Sequence, residues 1–390
     1  MIGKMARATA SSPTPSGVRT ASSSEDDPQK AAAAVIDAID PQSLAGILLF
    51  CSSRYELDEA ARAINRRCEN VPVIGCTSSG EITATGLTES SITAIGFPAE
   101  DFTLHPMRFE DLDHFDGIEA HQRVRRLIAD ATADSARLGP EGSRAALFLV
   151  DGLSHREEML AATLQEALGE VPLIGGSSGD GMAFKQTFIF HQGQFRRDAA
   201  LVAVLSSRRP MTVFRAQHYA PGEIKMVITG ADPVQRIVTE INARPAAEEY
   251  ARLIGVAESD LNLHVFASRP PMVRAGGEYF VRSIQTANPD GSLTFYCAID
   301  EGIVLTLGES IDVIANLQTL FGDLRTQIGP IDRIIGFDCV LNRIEAEQRQ
   351  MGRRISQLLI DNRVVGFNSY GEQYHGLHVN QTFSGLAIGR

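Results

Sequence analysis

No stretch of this sequence approaches the roughly 18 uninterrupted apolar residues that a membrane span requires, so no membrane association is expected. The opening 30 residues, with Ser11-Ser12-Pro13-Thr14-Pro15-Ser16-Gly17 and Ser22-Ser23-Ser24-Glu25-Asp26-Asp27-Pro28, have no apolar core of the kind a secretion signal needs. They read as a flexible, polar tail (residues 1–30) on a cytoplasmic protein. The five cysteines (Cys51, Cys68, Cys76, Cys297, Cys339) form no CxxC pair, no zinc spacing and no CxxCH haem attachment site, which leaves reduced thiols as the simplest expectation. Basic residues are outnumbered and the formal charge is −12. A nucleic-acid partner needs a basic face to neutralise phosphates, and this balance argues against one. Among nine histidines there is no HxxxH or HxH metal pair.

What is present is ordinary for a globular chain, 44% hydrophobic and 22% charged residues, in a length that suits two or three domains. Its most informative feature is an internal repeat. One copy runs Gly46-Ile47-Leu48-Leu49-Phe50-Cys51, a helical segment, then Val71-Pro72-Val73-Ile74-Gly75-Cys76-Thr77-Ser78-Ser79-Gly80-Glu81. A second runs Ala146-Leu147-Phe148-Leu149-Val150-Asp151, a helical segment, then Val171-Pro172-Leu173-Ile174-Gly175-Gly176-Ser177-Ser178-Gly179-Asp180. A diverged third has Arg333-Ile334-Ile335-Gly336-Phe337-Asp338 and Val364-Val365-Gly366-Phe367-Asn368-Ser369-Tyr370-Gly371-Glu372.

Each copy reads strand, helix, strand, turn. The short apolar runs suit strands buried on both faces. Capping boxes are expected at Ser53 with Glu56, Ser154 with Glu157 and Asn342 with Glu345. The helical stripes are Leu57, Ala60, Ile64 and Cys68; Leu160, Leu164 and Leu168; and Ile344, Met351, Ile355 and Leu359. A further strand follows each turn, at Ser91–Ile95, Thr187–Phe190 and Gln381–Ile388. The fold class is therefore α/β, repeated strand-helix-strand units in layered, partly parallel sheets. A boundary near residue 230 divides a domain of residues 31–230, holding two repeats, from an α+β domain of residues 231–390 that ends in the third. There Asp232-Pro233 reads as a helix start continued by Val234, Ile237, Val238 and Ile241. A second helix spans Pro245 to Gly255, and a hairpin turns at Asn288-Pro289-Asp290-Gly291.

Gly175-Gly176-Ser177-Ser178-Gly179 has the GxSxG form of a nucleophile elbow, which would make Ser177 a hydrolase nucleophile. An elbow leads into a helix, whereas Met182 to Phe190 reads as strand, and the same turn recurs in the other copies. Backbone geometry accounts for a thrice-used Gly/Ser/Asn turn better than catalysis does, and no enzymatic activity is expected. If the turns converge, Ser78, Ser79, Ser177, Ser178, Ser369 and Tyr370 become candidates for a ligand cradle. His375 and His378 are three apart in a loop entering a strand. His218 stands where a strand meets a proline-bearing turn. Each has a hydrogen-bonded structural role as its plain alternative.

The order of segments resembles FIST proteins, which join an N-terminal FIST domain to a FIST_C domain, and within them the NosP family. The resemblance is carried by Ile74–Ile82, Gly175–Asp180, Ala231-Asp232-Pro233, Glu240-Ile241-Asn242, Pro245–Ala251, Phe295–Gly302, Phe337-Asp338-Cys339, Ser369–Gln373 and His378–Phe383. It implies a b-type haem held by a histidine, nitric oxide as the ligand of its iron, and control of a separate histidine kinase or cyclic-di-GMP cyclase or phosphodiesterase. Under that resemblance His378 is the first choice of iron ligand, followed by His218 and then His375. Arg269 stands where relatives are expected to carry histidine. The alternative within the same family is a haem-free module sensing a small organic ligand such as an amino acid. A homo-oligomer is compatible with either.

Overall fold

The computed structural model describes residues 9–10, 16–139 and 142–390. Three copies of one unit make up most of it, each running strand, helix, strand, helix, strand, hairpin, strand. In repeat 1 these are Arg19–Ser23, Pro28–Ile39, Leu44–Ser52, Leu57–Asn65, Val73–Ser78, the hairpin Glu81–Thr83 with Gly86–Thr88, and Ile92–Pro98. Repeat 2 uses Phe102–Glu110, Gly117–Ser135, Ser143–Val150, Glu157–Leu168, Leu173–Ser177, the hairpin Ile189–His191 with Gln194–Arg196, and Ala199–Ser207. Repeat 3 begins with Met211–Gln217 and resumes after a long insertion. It continues through Val313–Ile328, Ile331–Cys339, the helices Val340–Gln348 and Gly352–Asp361, Val364–Ser369, the hairpin Glu372–Tyr374 with Leu377–Val379, and Thr382–Gly389.

In every repeat the two middle strands are parallel, joined by a helical crossover, and the last strand returns antiparallel between the first two. The glycine at the centre of each second middle strand is required by contact. A Cβ at Gly75, Gly175 or Gly366 would stand 2.1, 1.7 or 1.8 Å from the facing strand's carbonyl oxygen. That shared constraint explains why the Ile-Gly and Val-Gly junctions mark the repeat.

The hairpins do not stay at home. The hairpin of repeat 1 extends the sheet of repeat 3, that of repeat 2 extends repeat 1, and that of repeat 3 extends repeat 2. Three sheets are thus tied into a closed ring. Their inner faces meet in one apolar centre containing Phe50, Leu149, Ile174, Phe337, Phe367 and Leu386. The helices cover the outer faces as three further cores. At roughly 25 cal/mol per Å², the closed centre stabilises all three sheets together.

The insertion, residues 219–310, is an antiparallel sheet in the order Glu278–Val281, Pro271–Ala275, Val304–Ser310, Tyr219–Asp232, Ile237–Ile241, Leu293–Phe295, Ile284–Ala287. It packs the helices Ala246–Ile254 and Leu263–Ser268 around Tyr250, Phe266 and Phe295. The expected stop at Gly255 holds: at φ +74 its backbone N–H donates to the carbonyls of Ala251 and Arg252. The hairpin at residues 288–291 also forms. Docking onto repeat 2 runs through Arg236, which bonds Glu157 at 2.8 Å and Glu158 at 2.6 Å with the Arg236 and Glu157 side chains almost fully buried.

The α/β layering stands, and five local expectations are corrected. Residues 19–23 pair with Ile92–Gly96 and a helix starts at Pro28, so the chain from residue 16 onward is no tail. The buried Val18 and Ala21 supply the reason; the rest of the expected tail, residues 1–8 and 11–15, lies outside the described residues. No capping box forms, because the helices begin at Leu57, Glu157 and Val340 and lack side-chain caps. Glu157 and Glu345 are drawn instead into contacts with the insertion. Residues 237–241 are strand, since the Asp232 carboxylate closes only a turn onto Val234 and Gln235. In repeat 2 the returning strand is Ala199–Ser207, and residues 189–191 belong to the exchanged hairpin. Repeat 3 also takes its edge strand, Met211–Gln217, from before residue 230.

Candidate functional site

Hairpin exchange brings the three Gly/Ser turns together at the carboxyl ends of the parallel strands. Ser79 N–H donates to the Asn368 carbonyl, and Asn368 N–H to that of Gly80. Ser177 N–H donates to Gly371, Tyr370 N–H to Ser177, and Gly179 N–H to Thr77. The turns converge, but these donors close the ring rather than face an anion.

The side chains are mostly committed as well. Ser78 Oγ donates to Glu81, whose other oxygen accepts Ser91 N–H at 2.9 Å and Ser91 Oγ at 2.6 Å. Ser369 Oγ donates to Glu372, which accepts from Thr382 in the same way. Burial raises both carboxyls above the usual carboxylate range, Glu372 to about 8. Repeat 2 replaces this device with Asp180, which accepts the N–H groups of Phe184, Lys185 and Gln186 at 2.8 Å each and the Tyr370 hydroxyl. Ser178 Oγ donates to Val150 and accepts from Gly152 N–H. Ser177 Oγ is buried and accepts from Gln373 Nε2 at 2.8 Å, and the chain after Gly179 is loop, without the helix of a nucleophile elbow.

Ser79 differs. Its hydroxyl is buried with no hydrogen-bond partner, and it lines a cleft of about 370 Å³ with Ser52, Ser53, Arg54, Glu89, Met182 and Arg343 among its walls. The size suits a small organic ligand. The Arg343 side chain is largely buried, but its ion-pair partners are exposed: Glu89 at 2.6 Å and Glu347 at 3.0 Å. Gly80, at φ +136, lets Arg343 approach, because a Cβ there would lie 2.0 Å from Nη1. Arg54, Glu89 and Arg343 were not among the residues singled out from sequence. Their assembly depends on repeat 3's helix meeting repeat 1's turn, for which adjacent sequence carries no signal.

Two of the three histidines named from sequence, His378 and His218, are engaged by neighbouring amides. His378 is buried, with Nδ1 3.1 Å from Gln373 Nε2 and Nε2 3.5 Å from Asn380 Nδ2. Gly371 is pressed on the ring so that a Cβ would meet Cε1 at 2.3 Å. A neutral imidazole has one N–H, so one amide must present its oxygen, and the otherwise unpaired Gln373 Oε1 and Asn380 Oδ1 are both available. Burial lowers the His378 pKa despite Glu158 and Glu157 nearby. His218 Nδ1 faces Asn316 Nδ2 at 3.0 Å, and that amide also donates to the Gln217 carbonyl at 2.9 Å. Nδ1 therefore accepts and Nε2 keeps the proton. The cavity beside His218 measures about 20 Å³, room for roughly one water molecule. His375 is exposed at the hairpin tip, φ +53, against Tyr374. Among the described residues no group of three or more His, Cys, Asp or Glu side chains is placed to hold a metal ion. At His378 and His218 the residues as folded do not fit a haem.

Comparison with known proteins completes the picture. The FIST N domain family is matched over residues 46–244 and the FIST C domain family over residues 246–375. The chain is similar to an uncharacterized protein of Methanocaldococcus jannaschii, 19% identical over 384 residues, covering 88% of this chain and 73% of the relative. With the first family spanning residues 46–244 and the second following directly after it, this chain belongs to the FIST family.

Proposed function

We propose that this chain, built of FIST domains, which are sensor modules of signal transduction, senses a small organic ligand of the amino-acid class in the cleft between repeats 1 and 3, and that occupancy alters a separate signalling enzyme, a histidine kinase or a cyclic-di-GMP enzyme. The observation that carries the reading is the buried, unpartnered hydroxyl of Ser79, a residue that lines the cleft. Leaving a buried hydroxyl unpaired costs about 1–3 kcal/mol, which a ligand can recover. The Arg343 pairs with exposed Glu89 and Glu347 are each worth about 0–1 kcal/mol. A ligand carboxylate can therefore take Arg343 while Glu89 or Glu347 turns to its ammonium group.

The test is a thermal-melt screen of the full chain against the twenty common amino acids at millimolar concentration. At least one should raise the melting temperature in a concentration-dependent way, and the rise should vanish in Ser79→Ala and Arg343→Met. No shift with any of them would remove the reading.

The haem-based nitric oxide sensor implied by the NosP resemblance has its own measurement. Protein expressed with added haem precursor is scanned across the visible range before and after nitric oxide. A Soret band that moves with the gas and is lost in His378→Ala or His218→Ala would replace the small-ligand reading.

A further inference from the structure

The helix Val340–Gln348 stands between the cleft and the insertion, and its two faces are committed to different neighbours. Val340, Arg343, Ile344 and Glu347 line the cleft, at the i, i+3, i+4, i+7 positions of one helical face. Glu345, two residues from Arg343 and hence on the opposite side, is buried and meets the insertion. It accepts from the Tyr219 hydroxyl and the Ser310 hydroxyl, and pairs with Arg349 at 2.8 Å. Tyr219 Oη also contacts the Ala267 carbonyl at 2.6 Å, and Gln381 Nε2 bonds that same carbonyl at 2.6 Å. The helix is one short rigid piece: the chain breaks after it at Gln350, φ +57, before Gly352–Asp361 begins.

We infer that this helix couples the cleft to the docking of the insertion, with Arg343 and Glu345 as the positioning residues on its two sides. The inference rests on the cleft being the sensory site. A ligand that draws Arg343 from Glu89 and Glu347 shifts a helix that cannot bend between residues 343 and 345, and so displaces the Glu345 carboxylate against Tyr219. Coupling of this kind is reciprocal. Loosening Tyr219 must alter the cleft as much as loosening Arg343 alters the insertion. The insertion is thereby the surface whose state reports occupancy.

The experiment needs no ligand, so it stands apart from the melt screen. Amide hydrogen exchange is followed by mass spectrometry in the full chain and in Arg343→Ala, Arg343→Lys, Tyr219→Phe and, as a control on an exposed helix, Arg353→Ala. Arg343→Ala should speed exchange by about fivefold or more at Tyr219 and Ala220 and in Leu263–Ser268. Tyr219→Phe should do the same in the turn at residues 78–81, and Arg353→Ala should do neither. If Arg343→Ala proves poorly folded by circular dichroism, Arg343→Lys supplies the reading, since it keeps the charge and loses the planar fork. Faster exchange confined to residues 78–90 and 340–348, with the insertion unchanged, would overturn the coupling. A failed amino-acid screen beside a positive exchange result would remove the ligand class and leave the coupling standing.

Discussion

A Cβ placed on Gly179 would stand 2.0 Å from Ser79 Oγ and 3.1 Å from Ser79 Cβ. The turn of repeat 2 is thus pressed directly onto the one turn serine whose hydroxyl has no partner. Gly179→Ala should destabilise the fold by about 1–3 kcal/mol, the usual cost of overpacking. Because the nearest atom is the Ser79 hydroxyl, Ser79→Ala should relieve part of that cost. Urea midpoints of the two single variants and the double variant form a cycle, and strict additivity would refute the direct contact.

Asp338 and Glu372 are buried carboxyls, raised by burial to about 7 and about 8. Both hold a proton in the folded chain at pH values where the unfolded chain has lost it. Their contribution to stability is complete below the ordinary carboxylate range and is lost as pH rises through about 7 to 8. Chemical denaturation should give a lower midpoint at alkaline than at mildly acidic pH. The drop should shrink in Asp338→Asn with Glu372→Gln, and an unchanged drop would contradict it.

His218 runs the other way. Burial lowers it to about 4, so the folded chain keeps it neutral where the unfolded chain is protonated. Its contribution is complete above the ordinary imidazole range and is lost as pH falls from there towards about 4. In His218→Gln the loss of stability on acidification should be shallower than in the parent chain, measured over that interval.

Arg236 ties the insertion to repeat 2 through a buried pair with Glu157. Arg236→Met leaves a buried carboxylate without its cation and should cost about 3–5 kcal/mol. Calorimetry should show the insertion melting ahead of the ring. Adding Glu157→Gln should recover part of the loss, and a double variant no better than the single would show that the pair is not what holds the docking.

The repeat was legible because its constraint is local and identical each time: Gly75, Gly175 and Gly366 each lie against a neighbouring carbonyl where no side chain fits. Gly255 was legible for a similar reason, as a left-handed residue closing a helix. The capping boxes were not, because Ser154 with Glu157 satisfies the local pattern while Arg236, far along the chain, claims the glutamate. Residues 234, 237, 238 and 241 fit helical spacing, yet a short segment with that pattern also fits a turn followed by strand. The cleft could not be read at all. Ser79 was visible as a candidate, but Arg343 reaches it only because repeat 1 lends its hairpin to repeat 3.

The exchanged hairpins also dictate an order of assembly. Strands 81–88 have no sheet to join until residues 364–369 exist, and repeat 2 lacks its edge until residues 372–379 are made. Early segments must wait with unpaired edges during synthesis, and contacts so distant in sequence favour slow, all-or-none closure. A ribosome halfway through this message would be carrying a chain still open to wrong partners, one whose survival depends on what shelters it until the end.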